Sequence, residues 1–181
     1  MSQRHSEYEL VPGDSYYTPA WVTEALLSVE EFPEPVWEPA CGAGYMGEVL
    51  SRRLAMAGET DIWQGARYDF LAFSVPYSGA KSIVTNPPYS NGLAEKFVRH
   101  ALSLTRLHAG KVAMLLPHAW DTAKGRRDLF ETHPAFKAKY TLTKRIRWEN
   151  LEQKANGPSS NHAWFVWDWR HSGPATLGYL P

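Results

Sequence analysis

Two short stretches carry residue types that could do chemistry: Asn86-Pro87-Pro88-Tyr89 and Gly42-Ala43-Gly44-Tyr45-Met46-Gly47. The first follows an apolar run, Ser82-Ile83-Val84-Thr85, which reads as a buried strand ending in a rigid turn. Two consecutive prolines fix φ and remove two backbone donors, and Pro87 also keeps Asn86 out of the helical region. The expected product is a stiff ledge at a strand end that offers one amide, outward-facing carbonyls and one aromatic ring. Such a ledge suits a planar group bearing an NH₂. Asn-Pro is also a common turn opener, so the four residues alone leave an ordinary loop open.

The second stretch is G-x-G-x-x-G between a short strand, Val36-Trp37-Glu38, and a helix expected over Gly47–Ala57, and Asp61 follows Gly42 by 19 residues. This is close to the dinucleotide-binding fingerprint, so an NAD site and a plain strand-to-helix turn are both open. Two features favour S-adenosylmethionine over NAD. The strand ends in Glu38-Pro39, where a carboxylate attracts a sulfonium and an ammonium but repels a pyrophosphate. The Asn-Pro-Pro-Tyr ledge, in turn, has no role in hydride transfer.

Taken in order, Tyr16-Tyr17-Thr18-Pro19, Glu38-Pro39-Ala40-Cys41-Gly42-Ala43-Gly44, Asp69-Phe70 and Asn86-Pro87-Pro88-Tyr89 closely resemble the motifs of the amino-group DNA methyltransferases of the adenine-N6 type. The resemblance spans residues 16–116. It extends more loosely to His162-Ala163-Trp164-Phe165-Val166-Trp167-Asp168, which is similar to the final strand of small phage or prophage forms. It implies a class I methyltransferase fold and S-adenosylmethionine as cofactor. Tyr17, Thr18 and Pro19 would line its methionine end, and Glu38, Pro39, Ala40, Gly42 and Gly44 its methionine and ribose. Asp61 would take the ribose hydroxyls, and Asp69 the adenine amine with Phe70 beside it. Bland roles remain open for both acids: a surface turn carboxylate for Asp61 and a helix N-cap for Asp69. At the ledge, the Asn86 side-chain oxygen and the Pro87 carbonyl would accept the hydrogens of an exocyclic amine. Pro88 would stiffen the turn, and Tyr89 would stack on a base flipped out of its duplex.

The same ledge occurs in enzymes that methylate a protein glutamine amide or guanine N2 in RNA, and a cofactor-fold scaffold without activity is a further alternative. The Tyr-Tyr-Thr-Pro lead-in favours DNA. Cys41 sits beside the glycine turn rather than the ledge, which argues against a cysteine-based cytosine mechanism. His118 and His133 lack ligand-spaced partners, so no metal is expected.

The elements that must position these stretches read as one α/β domain over residues 16–181, after a flexible lead-in over 1–15. Its expected architecture is Rossmann-like: a mostly parallel seven-stranded sheet, helices on both faces and an antiparallel C-terminal strand pair. Thr18 is expected as N-cap and Pro19 as the first residue of a helix whose apolar face is Trp21, Val22, Ala25, Leu26 and Val29. Asp61-Ile62-Trp63 reads weakly as the second strand, followed by a poorly marked third element before Tyr68. Leu93–Leu107 is the clearest helix, Lys111–Leu116 a central strand, Asp128–His133 a short helix and Lys139–Trp148 a half-exposed strand. Residues 149–161 read as a loop, and His162–Trp169 as the last strand.

Charge balances at 19 Lys+Arg against 19 Asp+Glu, yet it is unevenly placed. Residues 1–50 hold nine acidic side chains against Arg4 alone, whereas residues 124–147 hold eight basic ones against Asp128 and Glu131. Lys124, Arg126, Arg127, Lys144, Arg145 and Arg147 are therefore candidate phosphate contacts, with a solvated charged face as the ordinary alternative. A single cysteine and the lack of a long apolar run fit a cytoplasmic protein without a membrane segment. Only 41 residues separate Gly44 from Asn86, too few for a target-recognition domain. Target choice is therefore expected from loops, a second subunit as in a homodimer, or a partner protein.

Overall fold

The computed structural model describes residues 17–148 and 160–181. It is built on one seven-stranded sheet in the order β2-β1-β3-β4-β6-β5-β7. The strands are β1 (Val36–Glu38), β2 (Met56–Glu59), β3 (Ser82–Thr85), β4 (Lys111–Pro117), β5 (Phe136–Leu142), β6 (His162–Asp168) and β7 (Thr176–Leu180). Every neighbouring pair is parallel except the two made by β6, which runs against both β4 and β5. The Rossmann-like, mostly parallel seven-stranded α/β architecture expected from the sequence is present.

Strand alternation divides the core between two faces. On β4, Val112, Met114 and Leu116 point to one side, with Ala163, Phe165 and Trp167 of β6. Helix α3 (Leu93–Arg106) and the one-turn α4 (Arg127–Phe130) cover that side through Phe97, Val98, Ala101, Leu104 and Leu129. Ala113 and Leu115 of β4 point to the other side, with Trp164 and Val166. There α1 (Ala20–Leu27) and α2 (Tyr45–Ser51) pack through Val22, Leu26, Met46 and Leu50. Both faces of β6 are buried, so its tryptophans are core, each with its indole N–H satisfied: Trp164 by the Val22 carbonyl at 3.0 Å and Trp167 by the Leu129 carbonyl at 2.8 Å.

Several expected boundaries shift, each for a local reason. The second strand is Met56–Glu59, not Asp61–Trp63, and α2 ends at Ser51 instead of reaching Ala57. Pairing with β1 creates this strand, and no apolar run announces it. Between Glu59 and Ser82 the chain forms short 3-10 turns and no strand, so the poorly marked third element is not part of the sheet. β5 starts at Phe136 and stops at Leu142. β7, unmarked in the sequence, adds an edge parallel to β5. Pro19 occupies the cap position of α1, and the Thr18 hydroxyl is spent elsewhere, as described below.

At the amino edge of the sheet, Glu30 is fully buried and receives Lys111 Nζ and Lys137 Nζ at 2.7 Å each and the Tyr140 hydroxyl at 2.6 Å. Burial alone would raise its pKa, but these hydrogen bonds outweigh it and hold Glu30 below the usual carboxylate range. Removing one partner of such a cluster strands the other charges out of water. We expect Glu30→Gln to cost ~3 kcal/mol in urea unfolding, since a buried cation left without its carboxylate is strongly destabilising. A loss below about 1 kcal/mol would mean that Asp168, 3.3 Å from Lys111, already satisfies that cation.

Candidate active site at the carboxyl edge of the sheet

β1 connects outward to β2, whereas β3 lies on its other side, so the strand order reverses at β1. In open α/β sheets this reversal opens a crevice at the carboxyl ends of the strands. A cavity of about 600 Å³ lies there, within the range of small-molecule sites. The two stretches singled out by sequence form its opposite walls. Of the residues expected to hold a cofactor, Tyr17, Thr18, Glu38, Pro39, Ala40, Gly42, Asp61, Asp69, Phe70 and Asn86 line it. Pro87, Pro88 and Tyr89 line it as well, whereas Pro19 and Gly44 do not.

The glycine turn leaves β1 and enters α2 over a group of carboxyls. Gly42 and Gly44 have φ of 51° and 85°, left-handed values that a side chain would strain. A Cβ at Gly47 would fall on the Glu59 carboxyl, so that glycine is fixed by close approach. Glu38 is 2% exposed and its Oε2 has no hydrogen-bond partner. Burial, with Glu59 and Asp61 nearby, pushes its pKa well above the ordinary carboxylate value. Burial also raises Glu59, and the same surroundings push the Cys41 thiol up to about 12. Cys41 is therefore a neutral thiol, unsuited to nucleophilic attack.

Asp61 closes the turn from the β2 side. Its Oδ2 accepts the Gly42 N–H at 2.9 Å and its Oδ1 the Trp63 N–H at 3.0 Å, so it ties the glycine turn to the start of a 3-10 turn. Asp69 likewise caps a 3-10 turn, its Oδ1 accepting the Leu71 N–H at 3.0 Å. Phe70 is a core residue packed on Trp37 and Phe97, with ring centroids 5.1 and 4.7 Å away. Beside Asp61, Ile62 and Trp63 line the cavity while 58% and 71% exposed, an apolar lip not recognised in the sequence.

The lead-in bridges the two walls. Tyr17 packs on Tyr45 at the start of α2, with centroids 4.7 Å apart. The Thr18 Oγ1 accepts from Asn86 Nδ2 at 3.3 Å. The Tyr89 hydroxyl lies 2.6 Å from Asn86 Oδ1 and 3.0 Å from the Leu115 carbonyl, with one proton to donate between them. These contacts hold the Asn86 amide between two hydroxyls, its nitrogen lying toward Thr18 and its oxygen toward Tyr89. Burial raises the Tyr89 phenol, which stays protonated and able to donate. The Tyr89 ring borders the cavity and is backed by the His162 ring, at 6.1 Å with 28° between planes. His162 in turn meets the edge of Trp148 at 5.1 Å. Sequence reasoning missed this backing role, for which a histidine opening an aromatic strand was the only signal.

Among the basic candidates, Arg126 donates to Glu95 and to the Trp120 carbonyl and lies over the Trp120 ring, while Arg127 pairs with Glu131. Lys144 lies over the Trp21 ring at 4.8 Å, and Arg145 donates to Asn161 Oδ1 at 3.0 Å. Lys124 and Arg147 have no partner among the described residues. Most of the loop expected over 149–161 lies outside the described residues.

No protein-family model and no curated protein matches the sequence. Solved structures do match. The methyltransferase subunit of a type I restriction-modification system from Streptococcus thermophilus aligns over 88% of this chain and 47% of its own, at 15% identity and a TM-score of 0.54. The fold is that of the methyltransferases. The EcoKI M protein, a type I restriction enzyme component, gives 15% identity and a TM-score of 0.52 over 84% of this chain and 44% of its own. Atu636 from Agrobacterium tumefaciens, a predicted O-methyltransferase, gives 15% and 0.53 over 90% and 86%. The chain thus spans less than half the length of the two restriction-modification proteins. The methyltransferase fold is what these likenesses share with it.

His162 yields a pH test of the site's back wall. Burial lowers its pKa to about 4, against 6.5 for a free histidine. On lowering pH, the unfolded chain therefore takes up this proton first, and stability falls between pH 6.5 and 4. The two pKa values differ by about 2.5 units, so the loss is roughly 3 kcal/mol. His162→Phe keeps a ring behind Tyr89 and should flatten the fall of Tm between pH 6.5 and 4.5. Parallel pH profiles for the two proteins would contradict a buried neutral imidazole.

Proposed function

We propose that this chain is an S-adenosylmethionine-dependent methyltransferase that acts on an exocyclic amine, with adenine N6 in DNA as substrate. The observation that carries the reading is the pairing, across one cavity, of a buried Glu38 carboxyl with one unpartnered oxygen and the Asn86-Pro87-Pro88-Tyr89 ledge.

The donor set fits the cofactor. Glu38 is placed to meet a cationic ammonium, and the side-chain-free glycine turn allows close approach of backbone to ligand. Asp61 and the lip of Ile62 and Trp63 would hold the ribose and adenine side, with Asp69 on the adenine amine. When bound, S-adenosylmethionine supplies an electrophilic methyl group. The remaining work falls to the ledge. An adenine amine is a poor nucleophile because its lone pair is delocalised into the ring. Asn86 Oδ1 carries two lone pairs, of which Tyr89 takes one at most, leaving one for an amine hydrogen. The Pro87 carbonyl would take the other hydrogen. Two acceptors aimed at those hydrogens favour a more tetrahedral nitrogen with its lone pair free for attack. Because Thr18 and Tyr89 hold the amide in advance, the acceptor needs no reorganisation. Tyr89, borne on His162, would offer its ring to the base.

Asn86→Ala should abolish methyl transfer to DNA while leaving S-adenosylmethionine affinity within about threefold, as expected for an interaction made mainly with the reacting group. Tritiated-methyl incorporation into DNA, RNA and protein side by side, followed by nucleoside analysis, tests the substrate. Label appearing in protein alone would overturn the reading. A separate calorimetric test addresses Glu38. Burial raises the pKa of its carboxyl and a cationic ligand would lower it again, so binding should release protons and affinity should tighten as pH rises through the range in which this carboxyl titrates. Glu38→Gln should weaken binding more than tenfold and abolish that trend, and a pH trend surviving in the variant would point to another group.

A further inference from the structure

The basic residues fall into two groups that the fold treats differently. The first, Lys124 to Arg127, sits beside α3 within an ion-pair network. Glu95 pairs with Arg99 and Arg126, Asp128 with Arg99, and Glu131 with Arg127. Two of its three cations, Arg126 and Arg127, are thus paired with a carboxylate, and the Arg126 guanidinium also donates to the Trp120 carbonyl.

The second group follows β5. That strand is parallel to β7 and runs against β6, which in turn runs against β4, so β5 ends at the same sheet edge as the ledge. Residues 143–148 lie past that end. Ile146 is completely buried and Trp148 packs on the same core, whereas Arg145 and Arg147 between them are exposed. Alternation thus anchors the segment on its apolar side and turns the guanidiniums outward. Lys144 is steadied over Trp21 and Arg145 on Asn161. No carboxylate of the described residues forms an ion pair with Lys144, Arg145 or Arg147. Three cations thus stand at this rim without a carboxylate partner among the described residues. Trp148 continues inward through His162 to Tyr89, so the rim and the ledge share one series of packed rings.

We propose that residues 144–147 form the surface that grips the phosphodiester backbone of the nucleic acid carrying the target base, and that the 124–127 group does not. The inference rests on the proposed function for its partner. Cations held in place without a carboxylate partner among the described residues can replace the counterions condensed on a polyanion, whose release favours binding.

The test is the salt dependence of binding of the full chain to a duplex DNA of about 20 base pairs, read by fluorescence anisotropy between 50 and 200 mM salt, with methyl incorporation measured on the same samples. Each phosphate contact contributes about −0.9 to the slope of log K against log salt. Arg147→Gln alone should reduce the slope by about one, and the Lys144→Gln, Arg145→Gln, Arg147→Gln triple by two to three, with affinity at 50 mM salt down more than tenfold. Arg147 is exposed and unpaired among the described residues, so its variant keeps the fold and the test stands even if the triple does not. An unchanged slope in Arg147→Gln and the triple would overturn the proposal, as would a loss confined to a Lys124→Gln, Arg127→Gln double. Failure to bind DNA at all would overturn it too. Wild-type protein that binds with the rim-dependent slope but transfers no methyl would uphold this surface and sink the proposed function. Methyl transfer with a rim-independent slope would do the reverse.

Discussion

A glycine turn passes directly over the half-buried Glu59 carboxyl, beside the buried Glu38, and that contact constrains the whole active edge. Glu38 ends β1 facing Glu59 at the end of β2, and Gly47 has no room for a side chain above Glu59. Such a stack is unfavourable in itself, because desolvation and like charge both work against ionisation. It holds because Asp61 pins the Gly42 N–H from outside, while α2 docks on the core through Met46 and Leu50. The result is a cavity wall with acceptor capacity in reserve. A cation arriving there gains more than it would at a solvated carboxylate, since little water competes for the charge.

The opposite wall is arranged by the contrary principle, fixed geometry. The Asn86 amide has a partner at each end, Tyr89 is anchored through its hydroxyl and its ring, and the prolines leave little backbone freedom. One wall is thus electrostatically unfinished and the other sterically finished, a division suited to binding on one side and positioning on the other. The segment before α1 touches both, Thr18 bonding to Asn86 past the end of β3 and Tyr17 packing on Tyr45 at the start of α2.

What could be read from the sequence follows from how local its causes are. The ledge, the glycine turn, α3 and β4 were legible because proline geometry, glycine φ and apolar periodicity act within a few residues. β2 was not. Met56 to Glu59 has no strand-like pattern, is half-exposed, and includes Gly58, against whose Cα the Tyr77 ring packs too closely for a Cβ. Only β1 makes it a strand. β7 escaped for a similar reason, as an edge with Leu177 and Tyr179 exposed and a glycine between them lying over the Tyr140 ring. At the site, residue types exposed Asn86, Tyr89 and Glu38, but Glu59 beneath Gly47 and His162 behind Tyr89 are contacts across long sequence separations. Thr18 lines the cavity as expected but is not the cap of α1, although a Thr-Pro pair before a helix reads locally as one. Asp61 and Asp69 show a further limit. Both line the cavity as expected, yet part of each carboxylate serves a turn, so one residue answers to two readings at once.

β6 has a consequence for how such a chain comes off the ribosome. It is buried on both faces between β4 and β5, although some 44 residues separate it from β4 in the chain and β5 is made first. During synthesis β5 therefore emerges with no neighbour to pair with, and the middle of the sheet stays open until a late segment is threaded into it. Contacts of this kind are slow to form and leave strand edges exposed meanwhile. Because His162 belongs to that segment, the back of the ledge is finished late. A nascent chain could thus hold its glycine turn and its prolines in place while its Tyr89 still has nothing behind it.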